Sequence, residues 1–287
     1  MSRQWQVRMR IVHMTTLCEC TDSENHLSLV LTRNNQVVVI MRRYGTTPGR
    51  PEEYRHGSER AVRPKDAATL IIVRQEDEPR LLLGKRSMEH KFMPGKFVFP
   101  GGRLDLIDQR IKVPSQLPEP VMHRLRKKTQ AKVADAKLKG LALAAIRETF
   151  EETGLIVGKP SSKKVKTSNS GWNDYFSHEV LPPLESMDFI ARAITPPYRS
   201  RRFDTRFFMV FDDVIHSDPS ALHSATGELL DLHWLTLDEA RKTDLPAITR
   251  MVIDIVEERL TQSREAQLKQ AAPFVRSLHN QWITEEL

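Results

Sequence analysis

Glu148, Glu151 and Glu152 recur at spacings of three and four in the stretch Leu-Ala-Leu-Ala-Ala-Ile-Arg-Glu-Thr-Phe-Glu-Glu-Thr-Gly-Leu, residues 141–155. On a helix that spacing gathers three carboxylates within one turn, where like charges repel. Helix stability gives no reason for the arrangement. A hard divalent cation does, since Mg²⁺ and Mn²⁺ take oxygen ligands. Leu143, Ile146 and Phe150 predict an apolar face on the opposite side, with Ala144 and Ala145 leaving room around the acids. Gly154 is placed to end the helix in a left-handed conformation. A solvated acidic face is the plain alternative, and on the carboxylates alone the two readings stand level.

A second chemical signal lies upstream. Arg86-Ser87 leads through Gly95 to a short strand, Lys96-Phe97-Val98-Phe99, and then to Pro100-Gly101-Gly102. Adjacent glycines after a strand let backbone N–H groups approach a phosphate closely. Standing alone, such a turn is more simply a tight reversal. Glu228, just before the last predicted strand, is a further acid that could serve as a base, with a surface acid as the alternative.

Together these residues carry a resemblance. Arg147-Glu148-x-x-Glu151-Glu152-x-Gly154 resembles the core of the Nudix box, found in hydrolases of nucleoside diphosphates linked to another group. Leu82, Leu83, Arg86, Ser87, Gly95, Phe99, Pro100, Gly101 and Gly102 match in register an additional motif of the Nudix enzymes acting on coenzyme A. Gly84 stands where that motif has Thr. Lys91 stands where it has Arg, which keeps the charge but loses the fork that grips phosphate. The box is also interrupted. Gly102 and five residues lead to Asp108, where Glu is usual, and the chain then inserts residues 109–139 before the helix. Such an insertion, with Arg192-Ala193-Ile194-Thr195-Pro196-Pro197 and Arg202-Phe203-Asp204-Thr205-Arg206, is similar to the acyl-CoA diphosphatase branch.

The resemblance implies an α+β fold, a Nudix-type α/β/α sandwich with a mixed sheet. It implies Mg²⁺ or Mn²⁺ held by Glu148, Glu151 and Glu152, with Arg147 orienting a glutamate. The base would be Glu151, Glu152 or Glu228, and substrate contacts would come from Arg86, Gly101, Gly102 and Arg202. The expected reaction cleaves the diphosphate of coenzyme A or acyl-CoA to 3′,5′-ADP and 4′-phosphopantetheine or its acyl derivative. Two rivals remain: a pyrophosphatase of ADP-ribose or a dinucleotide such as NADH, and a catalytically idle Nudix fold that binds a ligand or nucleic acid.

The remaining elements must position these groups. Ala67 to Arg74 and Arg80 to Lys85 predict strands around a Glu76-Asp77-Glu78-Pro79 turn. Phe189 to Ile194, Thr205 to Phe211 and Leu229 to Trp234 predict further strands, and Ile248 to Leu260 an amphipathic helix. Residues 158–170 read as a flexible loop. The domain is expected over 66–262, with the insertion at 109–139 basic and partly helical, and 263–287 as a peripheral helical tail. Residues 1–65 read as an extension, with a hairpin over 27–41 turning at Asn34-Asn35. His13, Cys18, Cys20 and His26 fit no familiar zinc spacing.

The net charge of +7 suits an anionic partner. Aromatic residues do not interleave with the basic runs as a nucleic-acid stacking platform requires, so a small molecule is expected rather than nucleic acid. No apolar run approaches the ~20 residues of a membrane span. Two closely spaced cysteines suit a reducing, cytoplasmic setting, and a homodimer is compatible with the sequence.

Overall fold

A computed structural model describes residues 53–55, 60–129, 133–222, 227–278 and 281–287, with backbone strands also at 6–12, 15–21, 27–33 and 36–39. The first four strands are β1 (Gln6–Val12), β2 (Thr15–Thr21), β3 (Leu27–Arg33) and β4 (Gln36–Val39). Then come β5 (Lys65–Arg74), β6 (Arg80–Arg86), β7 (Phe97–Val98) and β8 (Gly101–Arg103). Helices α1 (Glu119–Arg126) and α2 (Asp135–Thr153) follow, then β9 (Lys159–Pro160), α3 (Ser170–Ser177) and β10 (Val180–Leu181). Strands β11 (Asp188–Ile194), β12 (Phe203–Phe211) and β13 (Leu229–Thr236) precede α4 (Leu237–Lys242) and α5 (Ala247–Leu260). Last are α6 (Arg264–Lys269), β14 (Pro273–Leu278) and β15 (Gln281–Glu286).

The main sheet is mixed, as expected. β5 runs parallel to β12, while β11 is antiparallel to β12 and β13 antiparallel to β6. Successive strand residues face opposite sides, and here both sides are apolar. Ala68, Leu70 and Ile72 of β5 join the core under α1, α2 and α3. Ile71 and Val73 join a second core under α4 and α5. A continuous apolar run is what a strand covered on both faces needs, and it makes the protein a three-layered α/β/α sandwich.

Three expectations change. Helix α2 keeps its two sides, with Leu143, Ile146 and Phe150 in the core, but the acidic side is not a solvated face: the helix is buried on almost every side from Leu138 through Thr153, with Glu152 only 3% exposed. The reason is tertiary, since α1 and α3 cover surfaces that the helical pattern alone would leave to water. The tail is helical only at α6; β14 and β15 form an antiparallel pair, and β14 runs parallel to β11. Pro273 opens β14, and the Phe274-Val275 and Trp282-Ile283-Thr284 runs suit strands. The loop at 158–170 ends in an unforeseen helix, α3, capped by the Asn169 side chain accepting from the Trp172 N–H. β3 and β4 pair as the expected hairpin; Asn34 and Asn35 lie outside the described residues. So do His13 and His26, and the side chains of Cys18 and Cys20.

The insertion is anchored by buried charge. Arg124 of α1 donates to Asp188 Oδ1 at 2.6 Å, and Arg259 of α5 donates to Asp188 Oδ2 at 2.7 Å. All three residues are buried. Asp188→Ala would leave two buried guanidinium groups without their shared anion. It is expected to destabilise the fold by about 3–5 kcal/mol, measurable as a lowered midpoint in urea unfolding.

Candidate active site

Asp108 and Arg147, separated by the insertion, meet in the interior. Arg147 donates from Nε to Asp108 Oδ1 at 2.9 Å and from Nη2 to Oδ2 at 3.0 Å, a bidentate pair. Asp108 is fully buried, and the Trp172 Nε1–H of α3 gives it a further bond at 2.8 Å. Nη1 of Arg147 reaches Glu151 at 2.8 Å and Glu148 at 3.0 Å. Burial works against the arginine's charge, but Asp108, Glu148 and Glu151 more than offset it and raise its pKa. The interrupted box is thus closed in space.

The glycine turn lies against the acidic helix. Strand β8 pairs with β5 through Gly101 and Gly102, and the Gly101 N–H donates to Glu152 Oε2 at 2.8 Å. The Glu148 carboxylate packs so closely on Gly102 that a side chain there would overlap it. Gly154 caps α2 with φ of 69°, a left-handed conformation.

Desolvation dominates the carboxyls. Burial pushes Glu152 up to about 8, against the Gly101 amide and Arg86, which favour the charged form. Glu148 rises to about 7, chiefly through burial, with Arg147 opposing and Glu151 adding repulsion. Glu151 is half-buried and turned toward Arg147 and Gly171; burial raises its pKa and Arg147 opposes the rise. In these orientations no three His, Cys, Asp or Glu side chains converge as a metal cluster among the described residues. Glu148, Glu151 and Glu152 line a common cavity, with Glu151 held on Arg147.

That cavity measures about 880 Å³ and is lined by Arg86, Gly101, Gly102, Glu148, Glu151, Glu152, Arg202 and Glu228 among others. The sequence-predicted site residues therefore come together around one space. Their surroundings differ. Arg86 Nη1 lies 2.7 Å from His90 Nδ1; burial lowers the Arg86 pKa, and Glu152, Glu228 and Glu148 act against that. Glu228 is 58% exposed, with an oxygen 3.9 Å from His90 Nε2. Arg202 donates to the backbone carbonyls of Thr195 and Val62, at 2.9 and 2.8 Å, so much of its guanidinium braces the cavity rim.

The basic insertion reads differently in three dimensions. Arg126 pairs with Glu119 and Asp135, Lys137 with Asp66 and Lys128 with Glu285, while Arg124 is buried on Asp188. These cations serve the fold. His90 and Trp172 are site residues that sequence reasoning missed. An Asn cap ahead of aromatics at spacings of three and four marks the helix carrying Trp172, but nothing local marks its contact with Asp108.

This architecture is the Nudix fold. A NUDIX hydrolase from Alicyclobacillus acidocaldarius superimposes with a TM-score of 0.52 at 22% identity, over 73% of this chain and 97% of that one. In sequence the chain resembles Nudix hydrolases. It is 29% identical to a putative nudix hydrolase of Caenorhabditis elegans over 59% of this chain and 50% of the relative. It is 26% identical to an acyl-coenzyme A diphosphatase of Xenopus laevis, over 56% and 53% respectively. The chain thus spans about half the length of these relatives. No family model matches it.

Trp172→Phe keeps the ring's bulk but removes the N–H that Asp108 accepts. Because Asp108 retains both arginine bonds, the expected loss is about 1–2 kcal/mol of stability, read from denaturant unfolding.

Proposed function

We propose that the chain hydrolyses the diphosphate of coenzyme A or an acyl-CoA, giving 3′,5′-ADP and 4′-phosphopantetheine or its acyl derivative. The observation that carries the reading is the juxtaposition of Glu148 and Glu152 with the Gly101-Gly102 turn at one cavity. The substrate class rests on the upstream motif from Leu82 to Gly102 and the likeness to an acyl-coenzyme A diphosphatase.

The site's chemistry fits a divalent cation. Its donors are hard carboxylate oxygens, and Glu148, Glu151 and Glu152 line one cavity. Glu148, Glu152 and a reoriented Glu151 would hold Mg²⁺ or Mn²⁺. Such an ion neutralises diphosphate and lowers the pKa of water. The protein's own residues do the rest. Arg147 fixes Glu148, Asp108 and Trp172 fix Arg147, and Arg86 supplies positive charge for a phosphate oxygen. The base comes from Glu151, Glu152 or Glu228, three of the acids that line the cavity. One P–O bond of the anhydride breaks as one forms to water, and the water's proton passes to the carboxylate.

Glu152→Gln keeps the shape and removes a carboxylate ligand of the cation. Turnover of coenzyme A should fall by at least about 100-fold, the upper range for loss of a group supporting a metal site, while the far-UV spectrum stays native. Mass identification of products from coenzyme A, acetyl-CoA, ADP-ribose and NADH tests the substrate. Faster cleavage of ADP-ribose or NADH than of every CoA species would overturn the coenzyme A assignment and keep the hydrolase.

Cation binding has its own readout. A carboxyl raised from 4.5 in the folded state stabilises the fold below that pH, and the contribution is lost as pH climbs through about 7 and about 8. Metal-free protein should therefore lose stability over this range. Mn²⁺ or Mg²⁺ requires the ionised ligands, so its stabilisation should be larger at pH 8 than at pH 5.5. At a hundredfold excess over Kd it amounts to about 2.7 kcal/mol, seen as a rise in Tm. An equal Tm with and without the ions at pH 8 would sink the metal assignment.

A further inference from the structure

Beside the charged cavity lies a smaller pocket of about 140 Å³, walled mainly by hydrocarbon and aromatic side chains, among them Ala193, Ile194, Met251 and Trp282. Phe92, Phe203, Phe207 and Ile248 line both spaces. Phe92 and Phe203 meet edge to face, ring centres 5.2 Å apart, in that common wall. Arg199 is the charged residue of the lining, and it is committed elsewhere: it is buried, stacks on Tyr54 at 4.6 Å and lies 3.8 Å from Glu53. The pocket therefore offers contact area with little to orient a polar ligand. A space of this size lined mainly by apolar side chains takes a benzene-sized guest, about six carbons.

We infer that the pocket receives an aliphatic chain of about four to six carbons carried on the non-nucleotide half of the substrate, and so sets the acyl-length preference of the reaction. The inference rests on the proposed hydrolysis, with the diphosphate and the pantetheine arm that follows it in the charged cavity and the acyl chain beyond that arm entering at the Phe92–Phe203 wall. The chemistry divides accordingly: carboxylates and arginines face the anhydride, and hydrocarbon faces hydrocarbon. Each methylene buried there strengthens binding about fourfold. Carbons beyond the pocket's capacity stay outside and add nothing.

The test compares straight-chain acyl-CoA thioesters from two to twelve carbons. KM should fall about two- to fourfold per added methylene up to roughly six carbons and then level off or rise. Ala193→Phe fills the pocket and should bring the hexanoyl-to-acetyl ratio of kcat/KM toward one, a ratio that any general loss of activity leaves unchanged. A second readout needs no turnover. With EDTA present, 6-bromohexanoyl-CoA should quench tryptophan fluorescence more than 2-bromoacetyl-CoA does, and Trp282→Phe should remove the difference. Chain-independent KM, steady improvement out to twelve carbons, or no Trp282-dependent quenching would overturn the pocket assignment and leave hydrolysis standing. Quenching without hydrolysis of any CoA species would overturn the proposed reaction and retain the chain-binding pocket.

Discussion

The site depends on one buried ion pair. Asp108 and Arg147 hold each other by two hydrogen bonds with Asp108 fully buried. A lone charge at that depth would cost several kcal/mol, so each residue constrains the other. From that fixed guanidinium the remaining N–H groups reach Glu148, Glu151 and the Arg103 carbonyl. The loop after β8 and the middle of α2 are thereby locked together, and the glycine turn is held against the acidic helix.

The same pair explains how the fold tolerates its insertion. Residues between Asp108 and Arg147 leave the centre, build α1, and return as the first turns of α2. Four of the insertion's cations, Arg124, Arg126, Lys128 and Lys137, pair along the way with Asp188, Glu119, Asp135, Glu285 and Asp66. A segment stitched to the scaffold at that many points adds a covering layer without moving the ends that matter. Glu148 and Glu152 are buried against the Gly101-Gly102 turn instead, and that burial raises their pKa values.

Much of the plan was legible in the residues. The strands at β5, β6, β11, β12 and β13 follow from β-rich runs bounded by turn residues, and α2 and α5 from helical spacing. Strands β14 and β15 were not, because short segments of mixed propensity take the structure their neighbours allow, and β11 offers β14 a parallel partner. Helix α3 was hidden for a related reason: its eight residues follow a polar, lysine-rich stretch that reads as loop.

By itself the sequence determined the acidic turn of α2, the glycine pair after β7 and the apolar strands, because helix and strand periodicities are local and place side chains by spacing alone. Tertiary structure decided which groups are buried and therefore what their charges do. It brought Asp108 to Arg147 across the insertion, set Trp172 on Asp108 from far along the chain, and paired Arg124, Arg126, Lys128 and Lys137 with acids of the fold. Sequence spacing carries no information about solvent. The dielectric around a carboxylate is fixed only when other elements close over it, and here that closure turned a row of glutamates into a buried, strongly coupled site.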